Sequence, residues 1–442
     1  MMDIKKYLDK IGVKELNAMQ QDALDTICSS NDDVVVLSPT GTGKTLAYLL
    51  PLTELVDASS DDLQTVVVVP GRELALQSAT VLKGLSSGIR SLACYGGRPA
   101  MDEHRQLRQV CPQGIFGTPG RLNDHLDKGN ISPAQIGILV IDEFDKCLEM
   151  GFSDEMIRLL AKLPNIRRRI LLSATDAEEI PHFVGHGNIR RIDYLSENKN
   201  VSGRIALHRV DSPEKDKLET LRSLLLSIGS GSTIVFLNYR ESVERASAYL
   251  SEQGFSVSAF HGGLDQRGRE SALYRFANGS ACILVSTDLG SRGLDIPDVE
   301  NIIHYHMPET KEAYLHRIGR TARWDKNGRA FFILATGEKI PDYVAGDIPN
   351  YSLSPTGMPA RPRMTTFYIG KGKKDKISKG DLVGFLCKKG GLSKDDIGRI
   401  DVRDYYCYVA VNRSKAAEML KKVRGEKIKG LRTLVEIAAP EA

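Results

Sequence analysis

The sequence has no long apolar run and no paired cysteines. No stretch approaches the roughly 18 consecutive apolar residues that a membrane-spanning helix needs, and the start, MMDIKKYLDK, lacks the apolar core of a secretory signal. We therefore expect a cytoplasmic protein. The seven cysteines are scattered without a CxxC pair, so the sequence suggests neither a disulfide framework nor a zinc site. It also has no short-period repeat and no low-complexity tract.

The charge is unevenly distributed along the 442 residues. Residues 366–442 carry 18 Lys and Arg against 10 Asp and Glu, whereas the whole chain has a net charge of only +4. A solvated charged face would explain such a surplus, but a short basic module is also typical of proteins that bind a polyanion. We therefore expect a basic tail on a mildly acidic body.

Short β-branched runs alternate with helical patterns over most of the chain. Continuous apolar runs such as TVVVVPG and STIVFLNY are typical of strands covered on both faces, as in a parallel α/β sheet. A polar stretch near 193–204 suits a linker, and five prolines between Pro341 and Pro362 indicate an extended connector. We predict domains at 1–200 and 205–345, a linker at 346–365 and a small domain at 366–442.

A glycine-bearing loop follows a predicted strand and precedes a helical pattern in VVVLSPTGTGKTLAYLL. Such a loop turns backbone N–H groups toward one point, and the following helix N-terminus favours an anion. Lys44 can reach the terminal phosphates of a nucleotide, and the Thr45 hydroxyl can join the shell of Mg²⁺. The sequence therefore predicts a nucleotide site formed by Ser38, Thr40, Gly41, Thr42, Gly43, Lys44 and Thr45.

A second apolar strand, ILVI, ends in the acidic sequence DEFD at 142–145. In phosphate-loop proteins such a strand end supplies the other support of the metal. Asp142 would bind Mg²⁺ through water, and Glu143 would orient or deprotonate the attacking water. A charged surface turn is the alternative, but it would not require an apolar strand before it.

Other nucleotide-using classes fit less well. A GTPase is expected to carry an Asn-Lys-x-Asp guanine reader, but the only Asn-Lys pair, Asn198-Lys199, continues as Asn200-Val201. A small-molecule kinase would not explain the second predicted sheet.

Taken together, the motifs resemble those of the DEAD-box RNA helicases of helicase superfamily 2, over about residues 10–335. The matching segments are SPTGTGKT (motif I), PGRELALQ at 70–77 (Ia), YGGR at 95–98 (glycine doublet), GTPGR at 117–121 (Ib), DEFD (II), SAT at 173–175 (III), Gln266 with Arg269 (QxxR), STDLGSRGLD at 286–295 (V) and HRIGRTAR at 316–323 (VI). The resemblance implies two RecA-like parallel-sheet domains in tandem, with ATP and Mg²⁺ as cofactors.

The resemblance also implies roles for residues outside the phosphate loop. Arg320 and Arg323 would reach the γ-phosphate and offset transition-state charge. Asp295 would meet the ribose or phosphate region, and Gln20 would read adenine. The coupling of hydrolysis to lobe movement would fall to Asp145, Ser173, Thr175 and His316, although Ser and Thr at strand ends can also serve only as helix caps.

The RNA-facing set implied by the resemblance contacts the sugar-phosphate backbone, so RNA would be bound without base specificity. Its members here are Arg72, Gly96, Gly97, Thr118, Arg121, Arg269 and Thr287.

Three departures from the family pattern stand out. LNAMQ at 16–20 lacks the usual Pro-Thr before Gln20, Gly71 replaces a Thr, and Phe144 replaces the Ala of motif II.

The tail predicts a β-α-β-β-α-β order, which suits a small α+β RRM-like domain. Strand alternation in DYYCYVAV places Tyr406 and Tyr408 on one face, where they could stack on RNA bases. It places Tyr405, Cys407, Val409 and Val411 on the other face, as core. Packing of all the tyrosines is the alternative, because the usual glycine before the first aromatic of an RRM signature is missing.

The tail resembles the C-terminal RNA-binding domain of DbpA-type bacterial DEAD-box proteins, which implies a tether to a hairpin of large-subunit ribosomal RNA. Lys371, Lys373, Lys374 and Lys376 suit phosphate contacts, with a solvated loop as the alternative.

We expect a monomeric, RNA-stimulated ATP hydrolase that unwinds RNA locally in ribosome assembly. An ATP-gated RNA clamp without productive unwinding, or a DNA translocase, would carry similar motifs.

Overall fold

The computed structural model describes residues 4–97, 100–149, 152–175, 188–195, 204–288, 299–321, 327–344, 346 and 348–438. These residues divide into two compact units, one ending at residue 195 and one beginning at residue 204. The predicted site residues Asp295 and Arg323 lie outside the described residues.

The first unit is built on a seven-stranded parallel sheet with the order β3-β4-β2-β5-β6-β1-β7. Its strands are β1 (Asp33–Leu37), β2 (Thr65–Val68), β3 (Ser91–Cys94), β4 (Gly114–Gly117), β5 (Ile138–Ile141), β6 (Arg168–Ser173) and β7 (Ile189–Asp193). Its helices are α1 (Ile4–Ile11), α2 (Ala18–Ser29), α3 (Lys44–Leu55), α4 (Arg72–Leu85), α5 (Ala100–Val110), α6 (Pro119–Asp127), α7 (Phe144–Glu149) and α8 (Ser153–Ala161). Because helices cover both faces, strands such as β1 and β2 are buried throughout, which explains their continuous apolar sequences.

The second unit begins with a six-stranded parallel sheet with the order β10-β11-β9-β12-β13-β8. Its strands are β8 (Ile205–Ser212), β9 (Thr233–Leu237), β10 (Val257–Phe260), β11 (Ile283–Thr287), β12 (Asn301–His304) and β13 (Gly328–Ala335). The helices described with it are α9 (Leu218–Ile228), α10 (Arg240–Glu252), α11 (Gln266–Ala277) and α12 (Lys311–Ile318).

The C-terminal domain of the second unit is a four-stranded antiparallel sheet with two helices. Its elements are β14 (Met364–Ile369), α13 (Lys379–Lys388), β15 (Ile397–Val402), β16 (Cys407–Asn412), α14 (Arg413–Val423) and β19 (Val435–Ile437), in the sheet order β15-β16-β14-β19. The predicted β-α-β-β-α-β order is therefore confirmed. A short hairpin of β17 (Lys427–Ile428) and β18 (Leu431–Arg432) was not predicted.

The core of this domain contains Cys407, Val409 and Val411, as strand alternation predicts. The prediction for Tyr405 is wrong, because this side chain is 55% exposed. The strand begins only at Cys407, so the alternation does not extend back to Tyr405.

Two parallel sheets followed by a small antiparallel domain agree with the predicted fold class. Among the described residues, no helix is long and apolar enough to cross a membrane.

Candidate nucleotide and RNA sites

The phosphate loop between β1 and α3 is stabilised by bonds among its own residues. Gly41 and Gly43 have φ angles of 87° and 83°, the left-handed backbone that glycine adopts without strain. Ser38 Oγ donates a hydrogen bond to Thr42 Oγ1 (2.7 Å), which donates in turn to the Pro39 carbonyl (2.9 Å). Ser38 therefore contributes to the internal bonding of the loop.

Lys44 occupies the space inside this loop. Its Nζ donates to the carbonyl oxygens of Ser38 (2.6 Å) and Pro39 (2.9 Å), and the side chain is buried. Burial lowers the pKa of Lys44 to about 8, and nearby carboxylates, first that of Asp145, oppose this shift. Among the described residues, the hydrogen-bond acceptors of Lys44 Nζ are these two neutral carbonyl oxygens, and a bound phosphate would replace them with charged oxygens.

Gln20 and Asn17 attach α2 to the phosphate loop. Gln20 Nε2 donates to the Gly43 carbonyl (3.1 Å), and Asn17 Nδ2 donates to the Thr42 carbonyl (2.8 Å). The two residues also form a capping box at the start of α2. Asn17, which stands where the family pattern has Thr, thus holds the loop together with Gln20. Adenine reading by Gln20 stays a prediction.

The acidic strand end lies directly after β5. Asp142 is buried, and burial followed by the neighbouring Glu143 carboxylate raises the pKa of Asp142 to about 7. The Glu143 backbone has a φ of 52°, and its N–H donates to Asp142 Oδ1 (3.0 Å). Left-handed backbone at a non-glycine residue is uncommon and often found at functional sites.

Lys146 is a residue of this site that the sequence reasoning missed. It is fully buried, and its Nζ lies 2.9 Å from Glu143 Oε1. Its spacing of three residues from Glu143, which directly precedes α7, was the available signal, since side chains three residues apart lie close together on a helix. The ion pair holds the Glu143 carboxylate in a fixed orientation.

Three of the four predicted coupling residues meet in the first unit. Asp145 Oδ2 accepts hydrogen bonds from Thr175 Oγ1 (3.0 Å) and the Ala174 N–H (3.3 Å). Ser173 Oγ in turn accepts from the Thr175 N–H (3.1 Å). The acidic strand end is thus joined to the end of β6. His316 is buried in the second unit, and its coupling role stays a prediction.

Phe144 lies in the core below the acidic strand end. It is 3% exposed and belongs to a buried cluster that includes Ile141, Cys147 and Met156. The ring of Phe144 therefore fills space in the core.

Replacing Phe144 by Ala is expected to destabilise the first unit by about 3–5 kcal/mol, because it leaves a cavity in a packed core. ATP turnover per folded molecule should remain close to that of the unchanged chain. Urea unfolding followed by hydrogen exchange in β5 measures the stability, and Phe144→Leu should show a smaller loss. A large drop in turnover at unchanged stability would show that Phe144 tunes the chemistry instead.

The glycine doublet in the first unit lies against Arg72. A Cβ atom on Gly97, whose φ is 88°, would lie 2.4 Å from Arg72 Nη1, and one on Gly96 would lie 3.6 Å from Arg72 Nη2. The two glycines thus leave room for a guanidinium group from α4. RNA contact by Arg72, Gly96 and Gly97 stays a prediction.

Arg121 belongs to a network of mostly buried polar side chains. It lies beside Thr118, the N-cap residue of α6. Its Nε lies 3.2 Å from the Tyr95 carbonyl oxygen and 3.3 Å from Glu103 Oε2. Glu103 Oε2 also lies 2.8 Å from His125 Nε2, and both of those side chains are buried. Arg121 is only 11% exposed in its side chain, so in this arrangement it mainly holds α5 and α6 together.

The predicted residues of the second unit lie at the ends of its strands and helices. Arg269 stacks over the Phe260 ring at 5.2 Å, Thr287 ends β11, and Arg320 is 3% exposed just after α12. Arg317, which the sequence reasoning missed, forms two 2.6 Å bonds to Asp288. This buried bidentate pair fixes the segment before Arg320 to the end of β11.

The sheet of the C-terminal domain packs against α11, through a surface that we call the docking interface. Tyr274 and Tyr408 stack with ring centroids 5.2 Å apart, and Tyr406 OH donates to Glu270 Oε2 (2.8 Å). Arg267 lies 4.6 Å over the Tyr368 ring. Asn278 Nδ2 donates to Thr366 Oγ1 (2.9 Å) at its edge. Burial raises the pKa of Tyr274 and of Tyr406.

This interface bears on the predicted base-stacking residues. Tyr406 and Tyr408 do share one face of the sheet, but Tyr408 is 2% exposed and stacked on Tyr274. Tyr406 is half-buried and bonded to Glu270. The structure therefore does not leave these two rings available to RNA bases, and it corrects that prediction. The helix α11 therefore covers the sheet face that an RRM uses for stacking on bases.

Replacing Tyr274 by Ala is expected to loosen the docking interface, because it removes the stack and the hydrogen bond to the Tyr408 carbonyl (3.2 Å). Hydrogen exchange should quicken in α11, β15 and β16. Tyr274→Phe keeps the ring and should show a much smaller change. Equal protection in all three proteins would mean that the interface contributes little to the order of the C-terminal domain.

Comparison with known proteins assigns a family to three parts of the chain. Residues 17–182 match the DEAD/DEAH box helicase family, and residues 216–325 match the helicase conserved C-terminal domain. Residues 366–437 match the DbpA RNA binding domain.

Relatives match over nearly the whole length. The ATP-dependent RNA helicase DbpA of Escherichia coli is 36% identical over 433 residues, covering 96% of this chain and 94% of its own. DbpA of Bacillus subtilis is 29% identical over 461 residues, covering 97% and 96%.

Solved structures resemble the two parallel-sheet domains. S. cerevisiae Dbp5 bound to RNA and ADP BeF3 covers 75% of this chain and 86% of its own, with 26% identity and a TM-score of 0.66. Mss116p bound to ssRNA and AMP-PNP covers 80% and 78%, with 25% identity and a TM-score of 0.69. The two sheets are thus of the RecA-like helicase kind.

Proposed function

Since the chain belongs to the DEAD-box ATP-dependent RNA helicases of the DbpA type, we propose that it opens short duplexes in ribosomal RNA during assembly of the large ribosomal subunit. Membership of the family means that it binds RNA and hydrolyses ATP under RNA stimulation. The observation that carries the finer proposal is the basic C-terminal domain, which matches the DbpA RNA binding domain over residues 366–437.

The chemistry belongs to the phosphate loop and the acidic strand end. Lys44 would exchange its bonds to loop carbonyls for the terminal phosphate oxygens of ATP. Glu143, oriented by Lys146, would accept a proton from the attacking water while the water oxygen forms a bond to the γ-phosphorus of ATP. The bond between that phosphorus and ADP then breaks, leaving ADP and phosphate.

The residues present suit Mg²⁺ beside the phosphates. Asp142 and Glu143 place two carboxyl groups in a buried site, where burial first and the Glu143 carboxylate second raise the pKa of Asp142, and a divalent cation would stabilise both charged carboxylates. Carboxylate and hydroxyl oxygens are ligands that Mg²⁺ prefers, so Asp142, through water, and Thr45 would hold it. When bound, Mg²⁺ would offset charge on the β- and γ-phosphate oxygens.

ATP and RNA would act together on the two parallel-sheet units. We propose that ATP binds the RNA-bound, closed arrangement more tightly than the open one, so that binding bends the RNA and separates a short duplex. Arg320 and Arg323 would complete the γ-phosphate site in that arrangement. The C-terminal domain would hold the helicase near its target. The protein would work in the cytoplasm as a monomer.

Crosslinking the intact chain to cellular RNA and sequencing the bound fragments tests the target. We expect fragments of large-subunit ribosomal RNA to be enriched several-fold over their abundance. A chain ending at residue 365 should lose this enrichment while ATP hydrolysis on generic RNA remains. Enrichment of unrelated transcripts, or equal enrichment by the shortened chain, would contradict a ribosomal target selected by the tail.

A further inference from the structure

The docking interface covers one face of the sheet in the C-terminal domain, so the RNA contacts of this domain have to lie elsewhere. The covered face carries Tyr368, Tyr406 and Tyr408 against α11. The other face lies under α13 and α14, over the hydrophobic core. The short hairpin of β17 and β18 is on this helix side, away from the docking interface, since Lys429 in its turn pairs with Asp381 of α13.

The hairpin is closed by a two-residue turn. Two residue pairs face each other across it, Lys427 with Arg432 and Ile428 with Leu431. The residues between them, Lys429 and Gly430, have φ angles of 51° and 80°, as in the type I′ turn that two-residue hairpins favour. Lys429 is thus a non-glycine residue with left-handed backbone, which is uncommon and often found at functional sites.

Contacts with the rest of the domain hold the hairpin in place. Ile428 is 1% exposed and belongs to the hydrophobic core. Lys429 Nζ donates to the Lys376 carbonyl oxygen (2.9 Å) and lies 3.1 Å from Asp381 Oδ2. The hairpin is therefore preorganised, which reduces the entropy that is lost when it binds a ligand.

The outward face of the hairpin presents two cations directly opposite each other. Side chains alternate along a strand, so burial of Ile428 on one face places Lys427 and Arg432 on the other, where both are exposed. Residues directly opposite in an antiparallel pair have Cβ atoms about 4.5–5.5 Å apart, and like charges at this distance destabilise the pair. Anionic groups bound beside the two cations would offset their repulsion.

The acidic side chains closest along the chain are engaged elsewhere. Glu426, which precedes Lys427, pairs with Lys389 at the end of α13 (3.2 Å). Glu436 of β19 lies opposite Tyr368, on the face of the docking interface. Within the part of the chain that the structure describes, neither Lys427 nor Arg432 has an ion pair. The protein therefore leaves these two charges available to an anionic ligand.

We infer that Lys427 and Arg432 form a phosphate-binding site for the RNA backbone, in which each cation contacts one of two neighbouring phosphates of a structured RNA. Arg432 can donate two parallel N–H bonds to a phosphate, and Lys427 adds a compact charge on a flexible stem. Such contacts fix the position of an RNA without reading its bases. RNA at the hairpin would leave the docking interface intact.

This inference rests on the RNA binding in the proposed function and names the part of the C-terminal domain that carries it. Two RNAs separate the failure of one from the failure of the other. Binding of the full chain is measured to transcribed large-subunit ribosomal RNA and to an unrelated structured RNA of the same length. Equal binding of both by the unchanged chain would contradict the ribosomal target, whereas the hairpin site is judged by salt dependence with either RNA.

Substitutions that remove one charge each test the hairpin site. Lys427→Gln and Arg432→Gln should each reduce the slope of log affinity against log salt by about one, and the double variant by about two. At about 0.1 M salt this corresponds to an affinity loss of about fivefold to tenfold for each substitution. Both RNAs should lose the same factor, because a phosphate contact carries no sequence information.

A matched control removes two charges elsewhere on the same domain. Lys394 lies in the turn before β15 and Lys415 in the first turn of α14, and both are exposed. The double variant Lys394→Gln with Lys415→Gln should keep the slope close to its original value. Hydrogen exchange in the free proteins tests the fold of the hairpin. Exchange in β17 and β18 should be no faster in the Lys427→Gln, Arg432→Gln double variant, because that change removes a repulsion.

Three results would overturn the inference. The first is an unchanged salt slope in the double variant of Lys427 and Arg432. The second is an equal drop in the control variant of Lys394 and Lys415, which would mean that only the net charge of the domain matters. The third is faster exchange in β17 and β18 of the free double variant, which would mean that the two cations serve the fold of the hairpin instead of RNA.

Discussion

Replacing Glu143 by Gln is expected to lower RNA-stimulated ATP turnover by about a hundredfold to ten-thousandfold, the contribution of a general base. The amide keeps the shape of the side chain, and its oxygen can still lie beside the Lys146 ammonium group, so the fold around the acidic strand end should be retained. What is lost is the ability to take a proton from the attacking water. Affinities for ATP and RNA should therefore remain near their original values.

Single-turnover hydrolysis with saturating ATP and RNA, beside equilibrium binding of each, measures this effect. Glu155→Gln on α8 is a suitable control, because it makes the same change on a residue with only a weak 3.8 Å pairing to Arg158. Hydrolysis near the original rate in Glu143→Gln would refute the role of Glu143 in activating water.

Replacing Arg320 by Ala is expected to remove the stimulation of ATP hydrolysis by RNA. The RNA-stimulated rate should fall by about a thousandfold or more, as on loss of the arginine in related phosphoryl-transfer sites. Arg320 lies in the second unit, whereas Lys44 and the phosphate loop lie in the first. ATP binding to the first unit should thus persist. Arg320→Lys should rescue little, because one ammonium group cannot form the two parallel bonds of a guanidinium.

The ATPase rate with and without RNA, measured for each variant, gives the result. Arg245→Ala on α10, an exposed arginine paired with Asp216, serves as the control for loss of one positive charge in the same unit. Persistent RNA stimulation in Arg320→Ala would contradict a role at the γ-phosphate.

The parts of the fold and site that follow from short stretches of sequence were predictable. The phosphate loop lies between β1 and α3, and DEFD lies where β5 passes into α7, so their geometry depends on neighbours within about ten residues. The order of strands and helices in the tail also follows from local periodicity.

Predictions failed where a distant segment decides the environment. Tyr408 is buried because Tyr274, far earlier in the chain, stacks on it, and no local pattern reveals this contact. Local sequence also does not reveal the ion pair of Arg121 with Glu103 on another helix, and the RNA contact of Arg121 stays a prediction. Tyr405 was assigned to the core because alternation was extended past the true start of β16.

The most direct test of the account is strand displacement by the intact chain, with a short RNA duplex joined to large-subunit ribosomal RNA. ATP hydrolysis is followed in the same reaction, and a DNA duplex of the same sequence serves as the comparison. We predict that ATP and the full chain separate the RNA duplex, that Glu143→Gln does so at most once per bound ATP, and that DNA gives no stimulation. RNA-stimulated hydrolysis without strand separation, or equal turnover with DNA, would contradict the account.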